Sequence, residues 1–121
     1  MRRLALLAAV PAVTLAVTAG TALAHTEVKS TSPAKGSTAK TSITTVTVTF
    51  TEAIRSGTLR VTGAGGTVVS VGSGGRDPRK ISRLRVPLKS SKRAGRYTAR
   101  WTAVAPDGHR QHGSFKFKLR T

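Results

Sequence analysis

Short stretches in which apolar and polar residues alternate are the feature that most restricts how this chain folds. In residues 44–50, Val46, Val48 and Phe50 occupy every second position, and threonines lie between them. A β-strand turns successive side chains to opposite faces, whereas an amphipathic helix repeats about every 3.6 residues. No helix-period apolar stripe follows residue 24, and β-branched residues fill the alternating stretches. The sequence therefore predicts strands and excludes a helical domain.

Seven short strands are predicted from this pattern and from the turn residues between the stretches. They are placed at residues 27–30, 44–50, 58–62, 67–71, 82–88, 95–104 and 114–119. Clusters of glycine, Ser, Asp and Pro indicate turns or loops at 32–37, 63–66 and 72–78, and 105–112 is predicted as a loop. Pro87 has no backbone N–H to donate to a neighbouring strand, so the strand at 82–88 is predicted to be an edge strand or to end near Pro87. So many short strands indicate an all-β sandwich or barrel.

The aromatic residues are predicted to belong to the core of this domain. Phe50, Tyr97, Trp101, Phe115 and Phe117 all fall on the apolar side of their strands. Proteins that bind single-stranded nucleic acid stack bases on exposed aromatic side chains. Inward-facing aromatic residues therefore argue against a specific nucleic-acid partner.

The first 24 residues have the three-part pattern of a secretory signal. Arg2 and Arg3 precede an apolar stretch, and Ala22 and Ala24 stand at the positions that a signal peptidase reads. The alternative is an anchor helix that stays attached, and the sharp change to polar sequence after Ala24 argues against it. We therefore predict a signal peptide at 1–24 and one mature domain at 25–121. The mature domain is expected to be a monomer in the periplasm or the cell-wall and extracellular space.

Composition excludes several kinds of site. The sequence has no cysteine, and its only methionine, Met1, leaves with the signal. Thiolate metal ligands and thioether sites for copper(I) are therefore absent from the mature domain. The sequence also contains no Gly-x-Ser-x-Gly elbow, no phosphate-binding glycine loop and no His-Glu-x-x-His. We predict that the protein is not an enzyme.

The charge is strongly positive. The formal net charge is +17, and removal of Arg2 and Arg3 leaves 19 lysines and arginines against 4 acids, which is +15. Such a surface attracts polyanions, and for an exported protein these are anionic cell-wall polymers or lipid headgroups. The alternative is a solvated basic surface that only keeps the protein soluble.

His25 is the sharpest candidate for a functional residue, because cleavage after Ala24 makes it the first residue of the mature chain. Its α-amine has an ordinary pKa of about 7.7–8.0, low enough for a metal ion to displace the proton near neutral pH. The amine and the ring of one residue close a chelate ring. The alternative is that cleavage exposes a histidine without a role.

Asp107 and His109 are the second candidate for metal binding. They flank Gly108 after the longest predicted strand, and residues two apart in an extended stretch face the same side. The alternative is an Asp-Gly turn with an exposed histidine. Together with His25 they supply two imidazoles, an amine and a carboxylate. Tetragonal copper(II) favours this set, although tetrahedral zinc uses the same groups.

Two further residues, Glu52 and His112, are considered in relation to this metal site. Glu52 is the acid best placed to offset the remaining charge of a divalent ion, and it would accept a hydrogen bond from the His25 amine. The alternative is that Glu52 is a solvated acid at the end of a strand and has no role in metal binding. His112 lies three residues after His109 and is expected to face away from it in an extended chain.

The chain resembles the secreted copper-resistance proteins of the CopC family. The resemblance rests on His25 after Ala-x-Ala, on 32–36 (SPAKG), 46–52 (VTVTFTE), 97–101 (YTARW) and 107–109 (DGH), and on 113–115 (GSF). It implies a seven-stranded Greek-key β-sandwich of immunoglobulin-like type. It also implies one copper(II) ion per chain in a histidine brace formed by His25, Asp107 and His109, with Glu52 beside it. The function implied is carriage or buffering of copper, with a membrane copper transporter as partner.

The chain departs from the family pattern in three respects. It lacks a methionine-rich segment, so no copper(I) site is predicted. His112 stands where a small residue is usual, which leaves its role open. The charge is far more basic than the family pattern, which keeps open a second hypothesis: a cationic exported module that binds anionic cell-wall polymer or another polyanion, with incidental histidines.

Overall fold

The computed structural model describes residues 26–121, which form two packed β-sheets. The eight strands are β1 (Val28–Ser32), β2 (Thr38–Lys40), β3 (Thr45–Phe50), β4 (Ser56–Thr62), β5 (Gly75–Asp77), β6 (Lys80–Pro87), β7 (Gly95–Val104) and β8 (Arg110–Arg120). The first sheet has the strand order β1-β3-β6-β5, and the second has the order β2-β8-β7-β4. All neighbours are antiparallel except β2 and β8, which run parallel. Within residues 26–121, no helix is long and apolar enough to cross a membrane.

The core lies between the two sheets and consists of the apolar side of each alternating stretch. Its largest fully buried side chains are Phe50, Phe117, Ile54, Leu59, Leu84, Val46, Val48, Val61 and Val86. The ring of Phe50 meets the ring of Trp101 edge to face, with centroids 5.0 Å apart. Edge-to-face contact is a favoured arrangement of aromatic rings, because the positive edge of one meets the negative face of the other. The five aromatic residues are all buried, as the sequence predicts.

The predicted fold class, a Greek-key β-sandwich of immunoglobulin-like type, is confirmed, but it has eight strands instead of seven. The predicted strand at 67–71 forms only isolated bridges, Thr62 with Val68 and Ser70 with Leu88. Its backbone is shared between the two sheets, because Val69 donates to Val61 of β4 and Val71 donates to Pro87 of β6. A segment that crosses between sheets has no continuous ladder on either side.

Two strands were not predicted. β2 has only three residues, and it forms because the segment around it bonds to β8, where Lys118 donates to the carbonyl of Ser37. β5 lies in a stretch whose glycine, Asp and Pro content predicts a loop, yet it pairs with β6 as a short hairpin. In addition, β8 begins at Arg110, inside the predicted loop at 105–112. Pro87 is the last residue of β6, as expected for a residue without a ladder donor.

Candidate metal centre

One end of the sandwich, termed here the loop end, collects the start of β1, the link between β3 and β4, the start of β6 and the turn between β7 and β8. Three backbone hydrogen bonds hold these segments together. Thr51 donates to the carbonyl of Glu27 at 2.8 Å, and Arg55 donates to that of Val104 at 2.7 Å. The third bond, 2.9 Å long, runs from Ile54 to the carbonyl of Ile81 at the start of β6.

The turn between β7 and β8 carries the Asp107-Gly108-His109 motif. Ala105 donates to the carbonyl of His109 at 2.8 Å, and Gly108 donates back to Ala105 at 2.9 Å, which closes a tight loop at the end of the longest hairpin. Gly108 has φ of 89°, a left-handed conformation that a residue with a Cβ rarely adopts. The glycine therefore allows the chain to reverse between the two candidate ligands.

Asp107 and His109 converge within this turn. One carboxylate oxygen of Asp107, Oδ1, accepts a hydrogen bond from the backbone N–H of His109 at 2.9 Å. The other, Oδ2, lies 3.4 Å from Nδ1 of the His109 ring. Both side chains remain open to solvent, with 56% and 55% of their surface exposed. The motif is thus an Asp-Gly turn with an exposed histidine in which the carboxylate and the imidazole also face each other.

The spacing of this pair is compatible with a shared metal ion. Two ligand atoms that each lie about 2.0–2.1 Å from one ion are roughly 2.8–3.4 Å apart, depending on the bond angle. The distance between Oδ2 and Nδ1 falls at the upper limit of that range. A single ion would therefore require only a small movement of either side chain.

The electrostatics of the turn favour the ionised carboxylate. The backbone N–H of His109 lowers the pKa of Asp107 below its ordinary value, and the adjacent imidazole acts in the same direction. Burial opposes this shift without cancelling it. A metal ligand must be deprotonated, so a lowered pKa keeps Asp107 available at more acidic pH.

The described chain enters the sandwich at this same loop end. Thr26 is buried, and the next residue, Glu27, bonds to Thr51 through both backbone groups, donating to its Oγ1 at 3.1 Å. Glu52 follows Thr51 directly and is exposed. His25, the first predicted ligand, precedes Thr26 and lies outside the described residues. Glu52 is thus placed next to the segment that leads to His25, whereas the contact between Glu52 and His25 stays a prediction.

Comparisons with known proteins agree with this architecture. A family model described as the CopC domain matches residues 28–120. The chain belongs to the CopC family. The fold is similar to that of CopC from Methylosinus trichosporium OB3b, at 19% identity over 78% of this chain and 93% of the relative, with a TM-score of 0.65. It is also similar to PcoC, a methionine-rich copper resistance protein from Escherichia coli, at 22% identity over 79% and 99% of the two chains, with a TM-score of 0.66. No curated protein matches the sequence.

The remaining histidine of this CopC-family chain lies apart from the turn. His112 is exposed on the outward side of β8, where it pairs with Thr102 of β7. Within residues 26–121, no group of three or more His, Cys, Asp or Glu side chains is close enough to hold a metal ion. Among these residues the pair in the β7–β8 turn is therefore a partial ligand set.

Sequence reasoning assigned no role to Asp77, a further acid at the loop end. Asp77 ends β5 and is buried, with 5% of its side chain exposed. It accepts from the backbone N–H of Arg79 at 2.9 Å and from Arg83 in a two-pronged pair whose shorter contact is 2.8 Å. These contacts lower its pKa, the Arg79 N–H most strongly. The stretch predicts only a loop, because nothing in it signals that β5 and β6 pair.

All four acids of the sequence therefore lie at the loop end. Glu27 and Glu52 flank the contact between the start of β1 and the end of β3, Asp77 is the last residue of β5, and Asp107 lies in the β7–β8 turn. Asp77 is already paired with Arg83, so the exposed acids at this end that can attract a cation are Glu27, Glu52 and Asp107.

Proposed function

We propose that the mature chain begins at His25 and binds one copper(II) ion at the loop end. The ligands are the amine and the ring of His25, the carboxylate of Asp107 and the ring of His109. Glu52 accepts a hydrogen bond from the amine and orients it. The observation that carries the proposal is the convergence of Asp107 and His109 at the end where the chain enters the sandwich.

The donor set favours copper(II) over other metals. Three nitrogen donors and one oxygen donor suit the tetragonal geometry that copper(II) prefers. Among the divalent first-row metal ions, copper(II) also binds such sites most tightly. One ligand carboxylate leaves a residual positive charge on the site. Glu52 and Glu27 at the same end offset that charge. The proposed hydrogen bond from the His25 amine to Glu52 also holds the chelating residue, His25, in position.

The role that follows is carriage or buffering of copper outside the cytoplasmic membrane, as a monomer and without turnover. Both structural relatives carry names that connect them with copper resistance or the CopC family. The predicted signal at 1–24 directs the domain to the periplasm or the cell-wall and extracellular space. A membrane copper transporter is the partner proposed for delivery.

The test is an extension of the mature chain by one alanine before His25. Intact mass first verifies that one protein starts at His25 and the other at the added alanine, and each is then titrated with copper(II). The native start is expected to bind one equivalent with a tetragonal electron-spin-resonance spectrum. The extension is expected to abolish this site, because it removes the chelate between the amine and the ring.

His112→Ala is the matched control, since it removes a histidine that the structure places on the outward side of β8. This variant is expected to bind copper like the native protein. Equal affinity and an unchanged spectrum in the extended chain would exclude the His25 amine from the site. A site that takes zinc alone in a tetrahedral geometry would also overturn the proposal.

A further inference from the structure

The outward side of the second sheet, termed here the basic face, concentrates the positive charge of the domain. Its exposed cations include Arg60 on β4, Arg96 and Arg100 on β7, and Lys116, Lys118 and Arg120 on β8. The four strands of this sheet contain no Asp or Glu. The acids lie at the loop end, so nothing within the sheet neutralises these side chains.

The outward side of the first sheet is different. Threonines 45 and 47 of β3 lie there beside Arg83 and Arg85 of β6. Arg83 is neutralised by the buried carboxylate of Asp77 at 2.8 Å. The strands of the first sheet carry five cations and one acid, Asp77, whereas those of the second carry eight cations and no acid. The second sheet therefore holds the larger share of the excess charge, an asymmetry that a purely solubilising charge does not require.

The strand register sets like charges directly against each other on the basic face. Arg60 of β4 pairs with Arg100 of β7, and Arg96 of β7 pairs with Lys118 of β8. Like charges at directly opposite positions of an antiparallel pair destabilise the sheet. A bound polyanion would remove this repulsion, so the arrangement favours an anionic partner.

The charges also form lines. On β8 the outward positions are every second residue from Arg110 to Arg120, and four of these six are Lys or Arg, with His112 and Ser114 between them. Alternate residues of a strand are about 6.8 Å apart. The three successive cations Lys116, Lys118 and Arg120 have this spacing and suit an extended polymer that runs along the strand with one charge per short repeat.

We infer that the basic face binds a linear phosphodiester polymer of the cell envelope. Guanidinium groups form paired hydrogen bonds with phosphate oxygens, and the lysines contribute point charges. The exposed large apolar residues of the described chain are Val28, Val71 and Ile81, and none lies on this face. Binding to a bilayer is aided by apolar side chains that insert into it, so the face suits a polymer better than a membrane.

The same face does not resemble a site for bases. Tyr97, Trp101, Phe115 and Phe117 of the second sheet all point into the core, and only 9% of Trp101 is exposed. Sequence-tolerant binding of single strands uses aromatic side chains on which bases stack. The face therefore offers contacts to a phosphate backbone and none of this kind to bases.

This inference is independent of the copper proposal. Arg110 is the first residue after the β7–β8 turn, and the other cations of the basic face lie farther along the strands from the loop end. A polymer on the sheet would leave the Asp107-His109 turn open. The protein would then be held in the envelope while its metal centre remains free.

The experiment compares two variants of the mature protein with equal net charge. The face variant carries Arg96→Gln, Arg100→Gln, Lys116→Gln and Lys118→Gln. The matched control carries Arg79→Gln, Lys80→Gln, Arg85→Gln and Lys89→Gln, which lie on β6 or next to it. Binding to soluble poly(glycerol phosphate) is measured from 50 to 200 mM salt, and circular dichroism verifies that both variants fold.

The face variant is expected to bind at least tenfold more weakly than the native protein at the lowest salt. The slope of log affinity against log salt should fall by about 3, since each phosphate contact to a flexible polyanion contributes about 0.7. The control should stay within about threefold of the native affinity with nearly the same slope. Equal losses in both variants would show that only bulk charge acts, and the inference would then be wrong.

Three further ligands separate the partner classes on the native protein. Single-stranded DNA that binds more tightly than the base-free polymer would assign the face to nucleic acid. Phosphatidylglycerol vesicles that bind as well as the polymer would assign the basic face to a membrane. Polyglutamate of equal length that binds as well as the polymer would remove the preference for phosphate.

The double variant Lys116→Gln, Lys118→Gln serves if the fourfold variant does not fold, and unchanged polymer binding in this double variant would overturn the inference. The chain with an added alanine before His25 should bind the polymer normally.

Discussion

Replacing Gly113 by alanine tests the packing beneath the hairpin that carries the candidate metal centre. Gly113 of β8 lies opposite Trp101 of β7, and a Cβ built on it lies 2.5 Å from Cζ2 and 2.7 Å from Cε2 of the indole. Carbon atoms pack best at about 3.5–4.0 Å, so the indole must move by roughly 1 Å. The edge-to-face contact with Phe50 at 5.0 Å restrains that movement.

The expected cost follows from these contacts. Overpacking a core site costs about 1–3 kcal/mol. The loss of glycine's freedom in the unfolded chain offsets about 0.4–1 kcal/mol of that cost. The free energy of unfolding should therefore fall by about 1–2 kcal/mol. For a domain of this size, each kcal/mol corresponds to about 4–8 °C in Tm, so the Tm should fall by roughly 4–16 °C.

Thermal and urea unfolding measure this change, with the fluorescence of Trp101, the only tryptophan in the sequence, as the probe. Gly75→Ala is the matched control, because a Cβ at Gly75 meets nothing within 4 Å and its φ lies outside the left-handed region. The control should be unchanged or more stable by up to about 1 kcal/mol. A Gly113→Ala protein as stable as the Gly75→Ala protein would refute the packing argument.

Two further predictions concern the loop end. His109→Ala should weaken copper(II) binding about a hundredfold or more, because the variant loses a ligand. The Tm of the metal-free protein should stay unchanged, since 55% of this side chain is exposed. Wild-type affinity in a copper titration would remove His109 from the site. Asp77 has a lowered pKa in the folded state, so its contribution to stability is fully present above the ordinary carboxyl value of 3.8 and is lost as the pH falls through the lowered value. Asp77→Asn should therefore be less stable than the native protein at pH 7 in urea unfolding, and the difference should shrink in acid. A native protein and variant with parallel pH profiles would contradict the role of the Asp77–Arg83 pair.

The sequence predicted the candidate ligands by their chemistry and the structure supplied part of their geometry. The pair Asp107 and His109 was predicted from its spacing, and it converges through a turn that Gly108 and the carboxylate itself shape. The placement of the chain entry and this turn at the same end of the sandwich depends on the contacts of Thr51 and Arg55, which join segments distant in the sequence. No local pattern encodes such contacts.

Periodicity alone determined the strands whose alternation is long and uninterrupted. Residues 95–104 were predicted with the bounds that β7 has, because a long period-2 stretch buries one face wherever it pairs. The absence of cysteine and the excess of positive charge likewise follow from the composition, and the prediction of export rests on the first 24 residues.

Tertiary structure decided the rest, because short elements owe their conformation to their neighbours. β2 and β5 have three residues each and exist through pairing with β8 and β6, whereas the β-branched segment at 67–71 loses its strand by bridging both sheets. The register placed Arg60 against Arg100 and Arg96 against Lys118 on the second sheet. Local sequence fixes which way side chains alternate, but only the pairing of distant strands decides which charges and ligands meet.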